Sequence, residues 1–172
     1  MILYLDASAL VKRYVAEPGS TEVNEAISQA RVIGTALISR AEVAAALAKA
    51  VRMDVLTRED ASAALRVFRN EWPDLARVQV TEMVAARADT FAWEHGLRGY
   101  DAVHLAAASL WQDAIGERVT LATFNHQLWA AAKRVGLVPY PADLPALLHT
   151  WQAAERPSPA RRQGFEQKVM QL

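Results

Sequence analysis

Short apolar runs alternate with helix-length segments along most of this chain, and this alternation is the feature that most constrains its fold. The first run, Ile2 to Leu5, shows no polar alternation and ends at an acid, which is typical of a buried parallel strand. Strands separated by helices predict an α/β fold, in which a parallel sheet of four to five strands carries helices on both faces. The further strands are predicted at residues 32–36, 77–80, 119–123 and 137–140.

Several predicted helices begin at residues that favour helix capping. Thr57 and Asp60 have the spacing of a capping box, and Thr81 directly follows the third predicted strand, so both threonines are expected to be N-caps. Ser20 is expected to cap a helix over residues 21–30. These caps predict where the helices between the strands begin.

Length and composition indicate one globular domain followed by a short extension. The chain has 172 residues, of which 52% are hydrophobic and 22% are charged, and this balance supports a sizeable core. Residues 1–150 are predicted to form the domain. Residues 151–172 are expected to be an extension, partly helical or disordered, because two prolines interrupt a segment with four basic and two acidic residues.

Charge and cysteine usage exclude several classes of function. Basic and acidic residues number 19 each, so any nucleic-acid binding must depend on local positive charge. The absence of cysteine excludes disulfides, thiolate metal sites and cysteine nucleophiles. The N-terminus lacks a basic region, and charges interrupt every apolar stretch before it reaches membrane-spanning length. We therefore expect a soluble, cytoplasmic protein without a membrane partner.

Three acids lie close to the starts of predicted helices. Asp6 directly follows the first strand, Glu42 lies near the start of an alanine-rich helix, and Asp101 lies in the first turn of an apolar helix. Ligand sites of open parallel sheets lie beyond the carboxyl ends of the strands, so these acids can converge. Clustered carboxylates repel each other unless a cation neutralises them, and Mg²⁺ prefers oxygen ligands. Such a metal would activate water for phosphodiester hydrolysis.

Each acid also has a plain structural explanation. An aspartate that follows a strand often serves only as a helix N-cap, which would account for Asp6. A carboxylate in the first turn of a helix is favourable for the helix dipole alone, which would account for Glu42 and Asp101. Taken singly, these explanations are the simpler ones, and it is the joint placement of the three acids that favours a metal site.

The segments around the three acids, together with a fourth near the last predicted helix, form recognisable motifs. They are residues 5–12 (LDASALVK), 39–43 (SRAEV), 97–108 (LRGYDAVHLAAA) and 121–128 (LATFNHQL). These motifs resemble those of PIN domains, particularly the VapC-like toxins, and the third motif is the most specific. The resemblance extends from residue 2 to about residue 140 and implies a PIN-like α/β fold.

The resemblance also implies a function and a set of site residues. Asp6, Glu42 and Asp101 match the acids that collect Mg²⁺ or Mn²⁺ in the family, and Ser8 and Thr123 match its hydroxyl residues. The family cleaves RNA with metal-activated water. Its toxins are usually neutralised by a cognate antitoxin protein, and toxins resembling this chain commonly form homodimers. The expectation is a metal-dependent endoribonuclease that is the toxin of a toxin–antitoxin pair.

One position departs from the family pattern. Where the family often has a fourth aspartate this chain has Asn125, and an amide cannot supply the missing negative charge. We expect one well-held metal, with a second that is weak or arrives with the substrate. The alternative is a catalytically weakened module that binds RNA or the antitoxin. A haloacid-dehalogenase type of phosphatase is disfavoured, because the second aspartate of that family is replaced by Ser8.

A histidine and three basic residues complete the candidate site. His104 lies three residues after Asp101 and so shares a helical face with it. It is expected to contact the substrate phosphate or orient Asp101, or, more simply, to pack half-buried beside the sheet. Lys12, Arg40 and Arg98 are the candidates for RNA binding, because phosphate contacts supply most non-specific affinity for nucleic acids.

Overall fold

The computed structural model describes residues 1–155, and residues 1–142 form a compact unit by themselves. This unit contains two 3₁₀ turns, Val11–Arg13 and Trp72–Asp74. Its strands and helices, in chain order, are β1 (Ile2–Leu5), α1 (Ala7–Leu10), α2 (Ser20–Gln29), β2 (Val32–Ala36), α3 (Ser39–Arg52), α4 (Arg58–Glu71), β3 (Ala76–Val78), α5 (Glu82–His95), α6 (Gly99–Ile115), β4 (Val119–Ala122), α7 (His126–Arg134) and β5 (Val138–Tyr140).

A second unit begins at residue 143, and its described part is the helix α8 (Leu144–Glu155). This helix continues across residue 150, where the extension was predicted to begin. The basic residues of that extension, from Arg156 onward, lie outside the described residues, and the predicted domain boundary stays a prediction. Among residues 1–155, no helix combines the length and apolar character that crossing a membrane requires.

The five strands form one parallel sheet in the order β3-β2-β1-β4-β5. The first strand lies at the centre, where Ile2 is in register with Val32 of β2 and with Val119 of β4. A strand that is paired on both sides and covered on both faces must be apolar throughout, which explains the unbroken apolar run at the start of the chain. The predicted α/β fold is confirmed, with five strands.

Alternate side chains of β1 supply the two hydrophobic cores. Tyr4 points into a core formed with α5, α6 and α7, whereas Leu3 points into a core formed with α1 to α4. Both side chains are fully buried. Because successive side chains of a strand point to opposite faces, one short strand anchors both helical layers. The prediction of helices on both faces is therefore confirmed.

The chain order reverses next to β1, since β2 lies on one side of it and β4 on the other. A crevice forms at the carboxyl end of the sheet at such a reversal, and this is where open α/β sheets bind their ligands. The residue after β1 is Asp6, whose amide donates to the carbonyl oxygen of Ala122 at the end of β4 (3.2 Å). The fold thus places an acid directly at this reversal.

Thr57 and Thr81 are the predicted N-caps and accept hydrogen bonds from Asp60 N and Val84 N at 3.0 and 3.4 Å. The prediction for Ser20 is wrong. Its hydroxyl donates to Val15 O outside the helix, and Gly19 is the N-cap of α2.

The position before α2 requires glycine for two reasons. The φ angle of Gly19 is +97°, and a Cβ there would lie 2.6 Å from the ring of Phe124. Because the backbone at residue 19 is left-handed and lies this close to Phe124, only glycine fits there. The N-cap of α2 is therefore Gly19 and not Ser20.

The third strand is shorter than predicted and starts one residue earlier. It covers Ala76–Val78 instead of residues 77–80, because its partners in β2 end at Ala36, which pairs with Val78. Beyond that point the chain after β2 turns into α3, and residues 79 and 80 have no strand to pair with.

Candidate active site

Asp6 is held at the end of β1 by four hydrogen bonds. Its carboxylate accepts from Ala9 N (2.8 Å) and from Thr123 Oγ1 (2.7 Å), and Ser8 Oγ lies 2.8 and 2.9 Å from its two oxygens. The side chain is 3% exposed. Asp6 is therefore the N-cap of α1, as the plain structural explanation proposed, but its carboxylate is also fixed in place by the two predicted hydroxyl residues.

Asp101 lies in the first turn of α6 and is paired with Asn125. The Asn125 side-chain amide donates to Asp101 Oδ2 at 2.9 Å. Its carbonyl oxygen accepts from Gln127 N and Leu128 N and so caps α7. Asn125 thus fixes the start of a helix and the rotamer of an acid at once. The sequence motif indicated the position, but not that the amide would donate to Asp101.

The two aspartates lie close enough to influence each other's charge. Burial raises the pKa of Asp6, and the opposing effects of His104, Thr123, Ala9 and Ser8 are smaller. Burial also raises the pKa of Asp101, and the negative charge of Asp6 raises it further. An acid such as Asp101, whose pKa is raised by a second carboxylate nearby, is stabilised in its ionised form by a bound cation.

Glu42 lies in the first turn of α3 and contacts His104 rather than either aspartate. His104 Nε2 is 2.8 Å from Glu42 Oε2, and His104 Nδ1 is 3.0 Å from the hydroxyl of Tyr4. His104 is only 2% exposed. It is therefore buried rather than half-buried, and it hydrogen-bonds to Glu42, not to Asp101 as the helical spacing suggested. Tyr4 carried no sequence signal, because it lies within an apolar strand.

An open cleft of about 630 Å³ is lined by two of the three acids, Glu42 and Asp101. Tyr100 lies in it with 67% of its surface exposed, although sequence reasoning did not single it out. Asp6 is buried and does not line the cleft. The cleft brings together acidic, basic, amide, aromatic and aliphatic side chains, namely those of Glu42, Arg98, Tyr100, Asp101, Val103 and Asn125, beside the backbone of Gly99.

Of the three basic candidates, only Arg98 lines this cleft. Its charge opposes the rise in the pKa of Asp101. The Lys12 ammonium is 2.9 Å from Glu17 and 4.7 Å from the centre of the Phe124 ring. The Arg40 guanidinium lies 5.7 Å from the centre of the Trp72 ring. Arg98 is therefore the best-placed cation, while Lys12 and Arg40 have other contacts.

The donor atoms of the cleft fit a hard divalent cation. In residues 1–155, no three His, Asp or Glu side chains are gathered tightly enough to enclose a metal ion by themselves. Mg²⁺ does not need such a cage, because it is usually held by a few carboxylates and keeps several waters. Glu42 Oε1 and Asp101 Oδ1 have no hydrogen bond within the described part of the chain. Two carboxylate oxygens thus remain available to a cation.

The protein is an α/β protein with a five-stranded parallel sheet and acidic residues where the strand order reverses. Comparison with known proteins identifies its family. The PIN domain family model matches residues 3–134, and the chain belongs to the PIN-domain family. It is 33% identical to ribonuclease VapC45 of Mycobacterium tuberculosis over 144 residues, which are 83% of this chain and 97% of that protein.

One further relative supports the assignment, and one solved structure shares the fold. Ribonuclease VapC3 of Pyrobaculum aerophilum is 33% identical over 130 residues, covering 74% of this chain and 92% of that protein. A toxin–antitoxin complex from Klebsiella pneumoniae contains a chain with the same fold. The TM-score is 0.56 at 19% identity, and the match covers 76% of this chain and 91% of that one.

Proposed function

We propose that this protein is a Mg²⁺- or Mn²⁺-dependent endoribonuclease, the toxin of a toxin–antitoxin pair. The observation that carries the proposal is that Glu42 and Asp101 line one cleft at the strand-order reversal, while the buried Asp6 is close enough for its charge to raise the pKa of Asp101. The names of the curated relatives, ribonucleases VapC45 and VapC3, support RNA as the substrate.

The residues in the cleft and behind it would have different roles in the proposed hydrolysis. Asp6, Glu42 and Asp101 would hold the cation, which when bound supplies an activated water and neutralises charge on the phosphate. Ser8 and Thr123 keep the Asp6 carboxylate in one orientation through their hydrogen bonds. A rigid set of acids lowers the barrier because it needs no reorganisation during the reaction.

Two residues at the mouth of the cleft are suited to binding the nucleic acid. The Arg98 guanidinium provides a fork of donors that matches a phosphate group. The exposed ring of Tyr100 provides a surface on which an unpaired base can stack. We propose that a single-stranded region of RNA binds here, with its phosphate toward Arg98.

The proposed biological context follows from the same relatives. The Klebsiella pneumoniae structure is a toxin–antitoxin complex, which supports a cognate antitoxin protein as a partner of this chain. A homodimer and a cytoplasmic location complete the proposal.

A second candidate function is a catalytically weakened module that binds RNA or the antitoxin. The Asn125 amide favours it, because a donor 2.9 Å from Asp101 occupies one carboxylate oxygen that a second metal would otherwise use. Metal-dependent cleavage by the wild-type protein would exclude this alternative.

The test is cleavage of a mixed pool of cellular RNA by purified, antitoxin-free protein in Mg²⁺, in Mn²⁺ and in chelator. Asp6→Ala serves as the control for contaminating nuclease, and Asp101→Asn removes one acid while preserving its shape. We expect discrete fragments that require both the metal and the two aspartates. If folded wild-type protein cuts no RNA under any metal, the binding module becomes the better description.

A further inference from the structure

We infer that His104 is a positioning residue that, together with Tyr4, holds the Glu42 carboxylate ready for a cation. The inference rests on the proposed function and adds a buried support behind one of its three acids. The support joins three elements that are distant in the chain, since Tyr4 lies in β1, Glu42 in α3 and His104 in α6.

The geometry leaves the histidine ring little freedom. Its two nitrogens are both engaged, Nδ1 with the Tyr4 hydroxyl at 3.0 Å and Nε2 with Glu42 Oε2 at 2.8 Å. The Tyr4 and His104 rings meet edge to face with centroids 5.9 Å apart. The Trp111 ring packs against the Tyr4 ring, and their centroids are 6.3 Å apart. Tyr4 and His104 are both buried in the core, so the ring cannot turn away from Glu42.

The hydrogen-bond donors can be assigned along this chain of contacts. Within residues 1–155 the Tyr4 hydroxyl has no side-chain hydrogen-bond partner other than His104 Nδ1, so its proton can be donated to that nitrogen. A ring that accepts at Nδ1 carries its proton on Nε2, and this proton then points at the Glu42 carboxylate. Tyr4 thereby selects the histidine tautomer that donates to Glu42.

This arrangement divides the two oxygens of Glu42 between two tasks. Oε2 is tied to the core through His104, while Oε1 has no hydrogen bond within residues 1–155. A glutamate at a surface cleft otherwise loses considerable rotamer freedom when it binds a ligand. Fixing it in advance through a buried histidine lowers that cost, and losing such a support usually weakens metal affinity about 10- to 100-fold.

Two substitutions of His104 separate positioning from packing. In His104→Asn the amide takes the place of Nδ1, so the Tyr4 contact is kept and the Glu42 contact is lost. In His104→Gln the amide reaches the place of Nε2, so the Glu42 contact is kept and the Tyr4 contact is lost. Each variant removes one hydrogen bond from the same buried site, and their urea unfolding midpoints are expected to fall similarly.

The readout is the affinity of RNA-free protein for Mn²⁺, measured from the electron paramagnetic resonance signal of the unbound ion. We expect His104→Asn to bind Mn²⁺ about tenfold more weakly than wild type, and His104→Gln to recover most of the affinity. Cleavage assays should show the same order in kcat with little change in KM. Equal Mn²⁺ affinities for wild type and His104→Asn, or equal losses in both variants, would overturn the inference.

A measurement on the wild-type protein keeps the inference testable if the variants do not fold. Nitrogen-15 NMR of the imidazole should find a proton on His104 Nε2. A ring without a proton on Nε2 cannot donate to Glu42, and this result would overturn the inference directly.

Failure of the proposed function is distinguishable from failure of this inference. If wild type binds Mn²⁺ but cuts no RNA, the proposed function fails while the comparison of the His104 variants still decides the inference. If wild type binds no Mn²⁺ beyond what Asp101→Asn binds, both fail. If wild type binds Mn²⁺ and cuts RNA while His104→Asn binds like wild type, only the inference fails.

Discussion

The ionised forms of Asp6 and Asp101 are less favourable in the folded chain than in the unfolded chain. Burial raises the pKa of both Asp6 and Asp101, and for Asp101 the charge of Asp6 adds to the effect. A carboxyl group with a raised pKa in the folded state binds protons more tightly there than in the unfolded chain. Its contribution to stability is therefore greatest below the ordinary aspartate pKa of about 4, and is lost as the pH rises through the raised value.

This linkage predicts a pH-dependent difference between wild type and Asp101→Asn. In chelator, the free energy of unfolding of wild type should fall relative to that of the variant as the pH rises from about 4 to about 8, because the variant lacks one of the two charges. Urea unfolding at several pH values measures this difference. A difference that does not change with pH would show that the two carboxylates are not in conflict. Added Mg²⁺ should raise the stability of wild type more than that of the variant.

Asn125→Asp tests the amide that stands where the family often has an acid. The substitution keeps a capping oxygen for α7 but replaces the hydrogen bond to Asp101 by two carboxylates at about the same separation. In chelator we expect a loss of stability on the order of 1–3 kcal/mol. Mg²⁺ should restore more stability to this variant than to wild type, since the added charge favours cation binding.

The matched control for this substitution is Asn125→Ala. It removes the cap and the hydrogen bond to Asp101 without adding charge, and a lost cap alone costs about 1 kcal/mol. Its response to Mg²⁺ in thermal unfolding should not exceed that of wild type. If Asn125→Asp responds no more strongly to Mg²⁺ than Asn125→Ala does, position 125 does not face the cation.

At the scale of single residues, the sequence was informative wherever backbone position alone decides where a side chain lies. Asp6 follows a strand and Asp101 opens a helix, and both positions could be read from local pattern. The partner of Glu42 could not, because the contact between Glu42 and His104 joins residues 62 positions apart. Helical periodicity placed His104 near Asp101, but it carries no information on which side chain from another element fills the remaining space.

Close packing between two elements depends on one glycine in β2. A Cβ built on Gly34 would lie 2.6 Å from two ring atoms of Trp111 in α6. The helix therefore lies against the strand only because this position has no side chain, and the same helix carries Asp101 and His104. Such a contact requires glycine for space rather than for an unusual backbone conformation.

Gly34→Ala is expected to destabilise the protein by roughly 1–3 kcal/mol, because the extra methyl group displaces the Trp111 ring or the backbone of α6. Urea unfolding measures the effect. Gly99→Ala is the matched control, since a Cβ there has no neighbour within 4 Å, and it should change stability by less than about 0.5 kcal/mol. If the two variants were equally stable, the contact between Gly34 and Trp111 would not limit the packing.

At the scale of elements, the sequence indicated the strands and helices well but not all their boundaries. The apolar runs and the capping threonines Thr57 and Thr81 act locally, so their predictions hold. The start of α2 and the length of β3 depend on distant neighbours, namely the Phe124 ring beside Gly19 and the end of β2 at Ala36. Boundaries set by tertiary contacts leave no local pattern to read.

At the scale of the whole molecule, equal numbers of basic and acidic residues leave no net charge to attract RNA over distance. Attraction must then come from local cations, and ion pairs reduce their number. The Arg31 guanidinium, for example, is bound to Glu117 at 2.8 Å, near the amino end of β2 and therefore at the opposite end of the sheet from the acids. Arg98 has no ion pair within the described residues and lies in the cleft.

Arg98→Gln should therefore weaken binding of a single-stranded RNA oligonucleotide, measured by fluorescence anisotropy in chelator so that no cleavage occurs. One lost phosphate contact should reduce the slope of log K against log salt concentration by about 0.7. Arg31→Gln removes the same charge from the opposite end of the sheet and should leave both affinity and slope nearly unchanged. Equal effects of the two substitutions would mean that RNA affinity depends on the overall charge of the protein. The cleft beside Asp101 would then not be the RNA-binding site. A selective effect of Arg98→Gln would place a phosphate beside the acids proposed to cleave it.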